Sequence, residues 1–145
     1  MMLLDTNVVS EVRKGTCDAN VRAWIVAQRT DTLYICAITV LEIQRGIGLA
    51  AQRGDHLQAD VFTRWLEGQL LPAFAGRILP IDHAVARKAA QLPWVDSRDY
   101  RDPLIAAAGL VHGATVVTRN TKHFEACGVP LLNPWTIKPP ASPPA

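Results

Sequence analysis

Hydrophobic positions along the chain fall into two alternating patterns. Short apolar runs, several of them β-branched as strands tend to be, occupy residues 2–4, 33–36, 78–81, 115–118 and 129–132. Between them, apolar residues recur at intervals of three or four, as Val21, Trp24 and Ile25 do, which is the spacing of an amphipathic helix. The alternation of strand and helix predicts an α/β fold with a mostly parallel central sheet flanked by helices on both faces.

One helix has chemical signals at both of its ends. Asp102 is a residue type that caps helix N-termini, and Pro103 suits the first helical position. We therefore predict a helix from Pro103 to about His112. Gly113 should end it, because glycine tolerates the left-handed conformation that follows many helix C-termini.

The composition is that of a single globular domain. Of the 145 residues, 49% are hydrophobic and 19% are charged, which is enough apolar material for a buried core. We assign residues 1–135 to the domain and expect the proline-rich residues 136–145 to form a mobile tail. No apolar run approaches the roughly 18 residues that cross a bilayer. There is no signal-peptide pattern either, so we expect a cytoplasmic protein without membrane contact.

Charge and motif content exclude several classes of function. The net charge of +2 is too small to indicate nucleic-acid binding by itself, although it leaves that option open. Three cysteines without a C-x-x-C spacing favour neither a disulfide framework nor a zinc site. Nucleotide-binding glycine loops, a G-x-S-x-G nucleophile and an H-E-x-x-H zinc motif are all missing from the sequence.

Each of three carboxylates adjoins a predicted strand or lies near the start of a predicted helix. Asp5 follows the first strand, Glu42 lies about one turn into the helix after the second, and Asp102 opens the helix before the fourth. In a parallel sheet with right-handed crossovers, these positions belong to the same edge. Simpler roles stay open. Asp5 and Asp102 could each cap a helix, and Glu42 could pair with Arg45 on the helix surface.

Convergence of these acids would favour a metal ion. Mutual repulsion would raise their pKa values and leave the site partly protonated unless a cation neutralised them. Ligation by oxygen alone selects Mg²⁺, with Mn²⁺ as the alternative, over zinc. Such a centre suits phosphoryl chemistry, since the ion polarises a phosphate and lowers the pKa of a bound water.

Four segments in one order resemble those of the PIN-domain ribonucleases. They are residues 3–10 (LLDTNVVS), 38–46 (ITVLEIQRG), 101–108 (RDPLIAAA) and 115–120 (TVVTRN). The similarity is nearest to the VapC toxins of bacterial toxin–antitoxin modules and their FitB-like branch, which also shares residues 74–80 and 133–135. The resemblance implies a Rossmann-like PIN fold, a metal-dependent endoribonuclease, and a homodimer inhibited by a cognate antitoxin.

The resemblance also assigns roles to residues. Asp5 and Asp102 match the direct magnesium ligands, and Glu42 matches an acid that acts through metal-bound water. The family commonly has a further acid after the fourth strand, where this chain has Asn120 and His123. Asn120 would then orient a water or the Asp5 side chain, and a second metal site is in doubt. Thr6 and Thr118 would hydrogen-bond to the acids.

The leading hypothesis is a toxin that hydrolyses RNA phosphodiesters, with tRNA or another structured RNA as substrate. Flanking phosphates would be held by basic residues near the same edge, namely Arg98, Arg101, Arg119 and Lys122. An amphipathic segment of the antitoxin would enter an apolar groove formed by helices around residues 24–26 or 41–49. DNA would be reached only through the antitoxin.

Two rival functions remain. The first is a catalytically weak PIN-like binding subunit that acts with a DNA-binding antitoxin in promoter autoregulation, which the missing fourth acid favours. The second is a phosphatase or receiver-like domain with Asp5 as nucleophile. No second acid accompanies Asp5 in the adjacent loop, which weakens that reading.

Overall fold

A five-stranded sheet with the order β3-β2-β1-β4-β5 forms the centre of the molecule. The computed structural model describes residues 1–94 and 96–137. All four strand pairs are parallel, so the predicted α/β class is confirmed. The strands are β1 (Met2–Leu4), β2 (Leu33–Cys36), β3 (Ile78–Leu79), β4 (Thr115–Val117) and β5 (Leu131–Leu132).

Helices connect these strands. They are α1 (Thr6–Arg13), α2 (Ala19–Ala27), α3 (Ala37–Gln52), α4 (His56–Trp65), α5 (Leu71–Ala73), α6 (His83–Ala90) and α7 (Arg101–His112). A π-helical turn lies at Leu66–Leu70, and 3-10 turns lie at Thr30–Thr32, Thr121–His123 and Glu125–Cys127. No helix within residues 1–94 or 96–137 combines the length and apolar character needed to cross a membrane.

Three strands are shorter than predicted. β3 stops before Pro80, and β5 begins after Pro130, because proline has no N–H to give to the ladder. The hydroxyl of Thr118, the residue after β4, turns inward to the carboxylate of Asp5. Hydrophobic pattern alone placed the strands correctly but could not locate these ends.

The start of α7 differs from the prediction. The helix begins at Arg101, so Asp102 lies inside its first turn and is not the capping residue. The backbone N–H of Arg101 donates instead to the Asp99 carboxylate at 3.0 Å. The C-terminal prediction is correct, since Gly113 follows the helix with a φ of 66°.

The core consists of two layers, one on each face of the sheet. Successive strand residues point to opposite faces, so Leu3 joins the layer under α6 and α7 while Leu4 joins the layer under α1 and α4. Both side chains are almost completely buried. Helices therefore cover both faces of the sheet, as predicted, and the strand ends remain the place where polar side chains gather.

Close packing of α7 on β4 depends on Gly109. A Cβ atom at this position would lie 3.0 Å from Cγ2 of Val116 and 3.0 Å from Cγ2 of Val129. Both valines are buried and rotationally stiff. Gly109 thus sets how near the helix lies to the sheet, and with it the position of Asp102 at the opposite end of α7.

The C-terminal tail lies mostly outside the described residues. Thr136 is exposed and Ile137 packs, partly buried, against the core layer that contains Val117. Residues 138–145 are not described, so the predicted mobility of 136–145 stays a prediction.

Candidate active site

A polar pocket of ≈ 330 Å³ lies at the carboxyl ends of β1, β2 and β4. Asp5 follows β1, Glu42 belongs to α3, and Asp102 belongs to α7. The structure therefore brings the three acids that were singled out from the sequence to one pocket. Its lining residues are Asp5, Thr6, Asn7, Ser10, Glu42, Asp99, Arg101, Asp102, Asn120 and His123.

Asp5 is buried at the base of this pocket, with 6% of its surface exposed. Its Oδ1 accepts the backbone N–H of Thr6 at 2.8 Å, so it also caps α1. Its Oδ2 accepts the Thr118 hydroxyl at 2.8 Å and the Asn7 side-chain amide at 3.3 Å. Burial raises the pKa of Asp5, hydrogen bonds from Thr118 and Thr6 oppose this, and the charge of Asp102 raises it further.

Glu42 is half-buried beside Asp5. Its Oε1 accepts the Thr6 hydroxyl at 3.0 Å, and its Oε2 lies 3.7 Å from Nη1 of Arg101. The partner is therefore Arg101, and the proposed surface pair with Arg45 is wrong. Burial raises the pKa of Glu42, the hydrogen bond from Thr6 lowers it, and the charge of Asp5 raises it.

Asp102 and His123 form the more open side of the pocket. Nδ1 of His123 lies 3.1 Å from Oδ2 of Asp102, and the two side chains are 55% and 35% exposed. His123 is supplied by the 3-10 turn Thr121–His123. The charge of Asp102 is one of the causes that raise the pKa values of both Asp5 and Glu42, so Asp102 acts electrostatically on both of the other acids.

Asn120 lines the pocket, but other residues hold Asp5. The backbone N–H of Asn120 donates to the Thr118 hydroxyl at 3.0 Å. The groups that hydrogen-bond to Asp5 are Thr6, Asn7 and Thr118. Thr6 and Thr118 match the supporting role expected of them, whereas Asn7 was missed. Its place two residues after Asp5 in the segment Asp5-Thr6-Asn7 was the available signal.

Asp99 was also missed by the sequence analysis. Its carboxylate accepts Nε of Arg101 at 2.9 Å and Nη2 at 2.8 Å. The hydrogen bond from Arg101 lowers the pKa of Asp99 to about 2 and raises the pKa of Arg101. The partner of Asp99 lies only two residues further along the chain, so the spacing of Asp99 and Arg101 was the available signal.

Of the four basic residues expected to hold phosphates, Arg101 lines the pocket. Arg119 stacks on Trp135, with 5.2 Å from its guanidinium carbon to the ring centroid. Its backbone N–H also donates to Asn7 at 3.4 Å. Arg98 and Lys122 are exposed in segments near the pocket and stay candidates for contacts further along a bound chain.

The donor set suits a hard divalent cation, although the carboxylates do not surround one point. Within residues 1–94 and 96–137, no group of three or more His, Cys, Asp or Glu side chains lies close enough to hold a metal ion. The pocket nevertheless offers carboxylate oxygens, the ligands that Mg²⁺ and Mn²⁺ prefer. The charge of Asp102 also raises the pKa values of Asp5 and Glu42, and a shared cation would relieve that repulsion.

Comparison with known proteins gives a consistent result. The PIN domain family matches residues 2–129. The VapC ribonuclease Y4jK of Sinorhizobium fredii is 44% identical over 140 residues, covering 93% of this chain and 98% of that protein. Toxin FitB of Neisseria gonorrhoeae is 38% identical over 145 residues, covering 93% of this chain and 99% of that protein. The structure of FitAB bound to an IR36 DNA fragment superposes with a TM-score of 0.84 at 36% identity, covering 97% and 99%.

Proposed function

We propose that this chain, which belongs to the PIN-domain family, acts as the ribonuclease toxin of a toxin–antitoxin module. The resemblance inferred from the sequence is confirmed by the family match and by the identity to a VapC ribonuclease and to toxin FitB. The predicted role as a toxin–antitoxin ribonuclease rests on the same relatives. The residues and the metal that perform the reaction are part of our proposal.

One observation carries the chemistry. Asp5, Glu42 and Asp102, from three separate elements, line one pocket. The charge of Asp102 raises the pKa values of Asp5 and Glu42, and the charge of Asp5 raises that of Glu42. We assign Asp5 and Asp102 as direct ligands of Mg²⁺, or of Mn²⁺, and Glu42 as an acid that acts through water. Such an ion supplies activation of the attacking water and charge stabilisation at the scissile phosphate.

The protein's own groups orient the acids and move protons. Thr118, Asn7 and the backbone of Thr6 hydrogen-bond to both oxygens of Asp5 and fix its orientation. The bonds from Thr118 and Thr6 also oppose the rise in pKa that burial causes. The raised pKa of Glu42 brings it closer to neutrality, where a carboxylate is an effective general base. Glu42 would take the proton of the attacking water at Oε2 as the water oxygen bonds to phosphorus and the opposite P–O ester bond breaks. The leaving oxygen would take up a proton from solvent.

The test is cleavage of structured RNA, such as bulk tRNA, by purified protein freed of any inhibitor. We expect cutting with Mg²⁺ or Mn²⁺, loss with chelator, and loss in Asp5→Ala and Asp102→Asn. Asp31→Asn is the matched control, because Asp31 is an exposed aspartate that precedes β2 at the other edge of the sheet. Cutting that survives both the chelator and the two pocket variants would rule out this mechanism.

The relatives support partners as well. We propose a cognate antitoxin as inhibitor, a homodimer within that complex, and DNA contact only through the antitoxin, as the DNA-bound FitAB structure suggests. An enzyme that cuts cellular RNA would act in the cytoplasm. Co-purification of the co-expressed toxin and antitoxin, sized by light scattering, tests the assembly, and a toxin that elutes alone as a monomer contradicts it.

An apolar groove of ≈ 400 Å³ between α1, α2 and α4 supports the antitoxin proposal. Ile25 lines it, whereas Trp24 is buried in the core. On α3, Ile47 is likewise buried while Leu41 and Leu49 are half-exposed. The residues predicted to form one docking surface thus divide between the core and the surface. The mostly apolar lining of the α1–α2–α4 groove suits the apolar face of an amphipathic segment.

Two observations support the binding-subunit alternative. Asp102 contacts His123, and within the described ranges the acids do not form a closed metal-binding group. Expression of the chain without its antitoxin separates the two functions. Growth arrest that disappears with Asp102→Asn indicates cleavage, whereas unimpaired growth with intact promoter repression indicates the binding subunit.

A further inference from the structure

The pocket is acidic, yet its proposed substrate is a polyanion. Asp5, Glu42, Asp99 and Asp102 all line it, and each would repel an approaching phosphate. Among its lining residues in the described part of the chain, Arg101 is the one arginine, and there is no lysine. Arg101 is therefore the group best placed to offset the repulsion within the pocket itself.

Asp99 holds Arg101 by three hydrogen bonds. Its carboxylate accepts the backbone N–H at 3.0 Å, Nε at 2.9 Å and Nη2 at 2.8 Å. The two side-chain bonds form the parallel fork that is the strongest geometry for arginine and a carboxylate. A long side chain that would otherwise sample many rotamers is thereby held in one position at the start of α7.

Other N–H groups of the Arg101 guanidinium remain available to a ligand. Nη1 lies 3.7 Å from Oε2 of Glu42, which is too long for a hydrogen bond. The Asp99 carboxylate engages only part of the N–H groups that a guanidinium carries. The Arg101 side chain is 46% exposed, against 32% for Asp99, so the remaining donors are accessible to a ligand.

We propose that Arg101 binds an RNA phosphate at the mouth of the pocket and that Asp99 is its positioning residue. The inference rests on the proposed ribonuclease function and specifies how this site takes its substrate. Arginine is suited to the role because its planar fork matches two phosphate oxygens at once. Restraint by Asp99 reduces the side-chain entropy that phosphate binding would otherwise lose.

The chain contains a natural control pair. Arg29 and Asp31 have the same two-residue separation and a single contact of 2.7 Å between Nη2 and Oδ2. Their side chains are 81% and 63% exposed, and they lie before β2, away from the carboxyl edge. Arg29→Gln removes the same charge as Arg101→Gln without touching the pocket.

The experiment combines steady-state cleavage with RNA binding in chelator, where no cutting occurs. For Arg101→Gln we expect KM to rise about tenfold while kcat changes less, since phosphate anchoring is made in the bound state and the transition state alike. The slope of log affinity against log salt should fall by about 0.7, the loss of one phosphate contact to single-stranded RNA. Arg29→Gln should leave KM and the slope unchanged.

Two further variants separate charge from position. Arg101→Lys keeps the charge but not the fork, so the salt slope should persist while KM rises. Asp99→Asn keeps Arg101 and removes its restraint, so KM should rise by a few fold with no loss of slope. Melting temperatures of all variants show whether each is folded. If Arg101→Gln does not fold, Arg101→Lys still tests the proposal.

The results distinguish this inference from the function on which it rests. Wild-type protein that binds RNA without cutting it would refute the ribonuclease proposal alone, because the salt slope in chelator still reports on Arg101. Unchanged KM and slope in Arg101→Gln would overturn the inference while leaving cleavage intact. An equal effect of Arg29→Gln would show that net charge, and not the pocket, is responsible.

Discussion

The hydrogen bond from Thr118 to Asp5 provides a sharp test of how the pocket is supported. Thr118 is completely buried, and its hydroxyl lies 2.8 Å from Oδ2 of Asp5. The hydroxyl oxygen of Thr118 also accepts the backbone N–H of Asn120 at 3.0 Å. Thr118→Val preserves the shape of the side chain and removes all of these bonds, so Asp5 loses its most direct neutral donor.

The expected cost follows from the charge on the acceptor. A hydrogen bond to a charged group contributes about 1.5–3 kcal/mol, and a neutral one about 0.5–1.5 kcal/mol. Thr39 supplies the neutral reference, because it is also completely buried and its hydroxyl lies 3.1 Å from that of Thr6. Thr118→Val should therefore destabilise the fold by about 1 kcal/mol more than Thr39→Val, or roughly 4 °C in melting temperature.

The pH dependence has a definite sign. Burial raises the pKa of folded Asp5 above its unfolded value, so ionising it costs stability as pH rises through the folded pKa. Thr118 lowers that pKa and offsets part of the cost. The deficit of Thr118→Val should accordingly be largest at neutral pH and shrink as pH falls through the raised pKa of folded Asp5.

Thermal and urea unfolding of both valine variants across this pH range measures the effect, with the free energy of unfolding as the readout. Metal affinity adds a second measure, since loss of a group that orients a ligand typically costs about 10–100-fold. Equal, pH-independent losses in Thr118→Val and Thr39→Val would refute the reasoning, because they would mean that the Thr118 hydroxyl does not act on the Asp5 charge.

Three other changes have clear expected outcomes. Glu42→Gln should lower kcat by about 10²–10⁴-fold. It should change the free energy of unfolding by less than about 1 kcal/mol, because the ion pair of Glu42 with Arg101 is partly exposed. A stable variant with full activity would exclude the general-base role. His123→Ala frees Oδ2 of Asp102, so the half-saturating Mg²⁺ concentration should fall by up to about fivefold, and a rise would show that His123 assists binding. Gly109→Ala should destabilise the fold by about 1 kcal/mol or more, because the added methyl group contacts buried valines. Gly48 has open space at its Cβ position, so Gly48→Ala should stabilise the fold by about 0.5–1 kcal/mol in chemical denaturation.

Much of the architecture followed from local signals. Residues 2–4 and 33–36 were assigned to strands with the bounds that the structure has, because a short apolar run next to a polar boundary has few other solutions. Gly113 ended α7 where predicted. The predicted start of α7 is wrong. Asp102 has the chemistry of a capping residue, but the backbone N–H of Arg101 donates to Asp99, three residues before Asp102.

For the pocket, too, local signals identified the acids but not the groups that they contact. The acids were identifiable because each adjoins a strand or lies near the start of a helix, and parallel strands bring their carboxyl ends to one edge of a sheet. Which group each acid contacts could not be derived, because Thr118 and Asp5 are separated by 113 residues and their meeting depends on β1 lying beside β4.

The sequence by itself thus determined the strands, the helices and the acids, since periodicity and turn chemistry act over a few residues. Only the tertiary structure decided that His123 contacts Asp102 and that Asp99 holds Arg101 toward the pocket. Such contacts form where packed elements leave particular side chains facing each other, and a difference of one turn in a helix start is enough to change them.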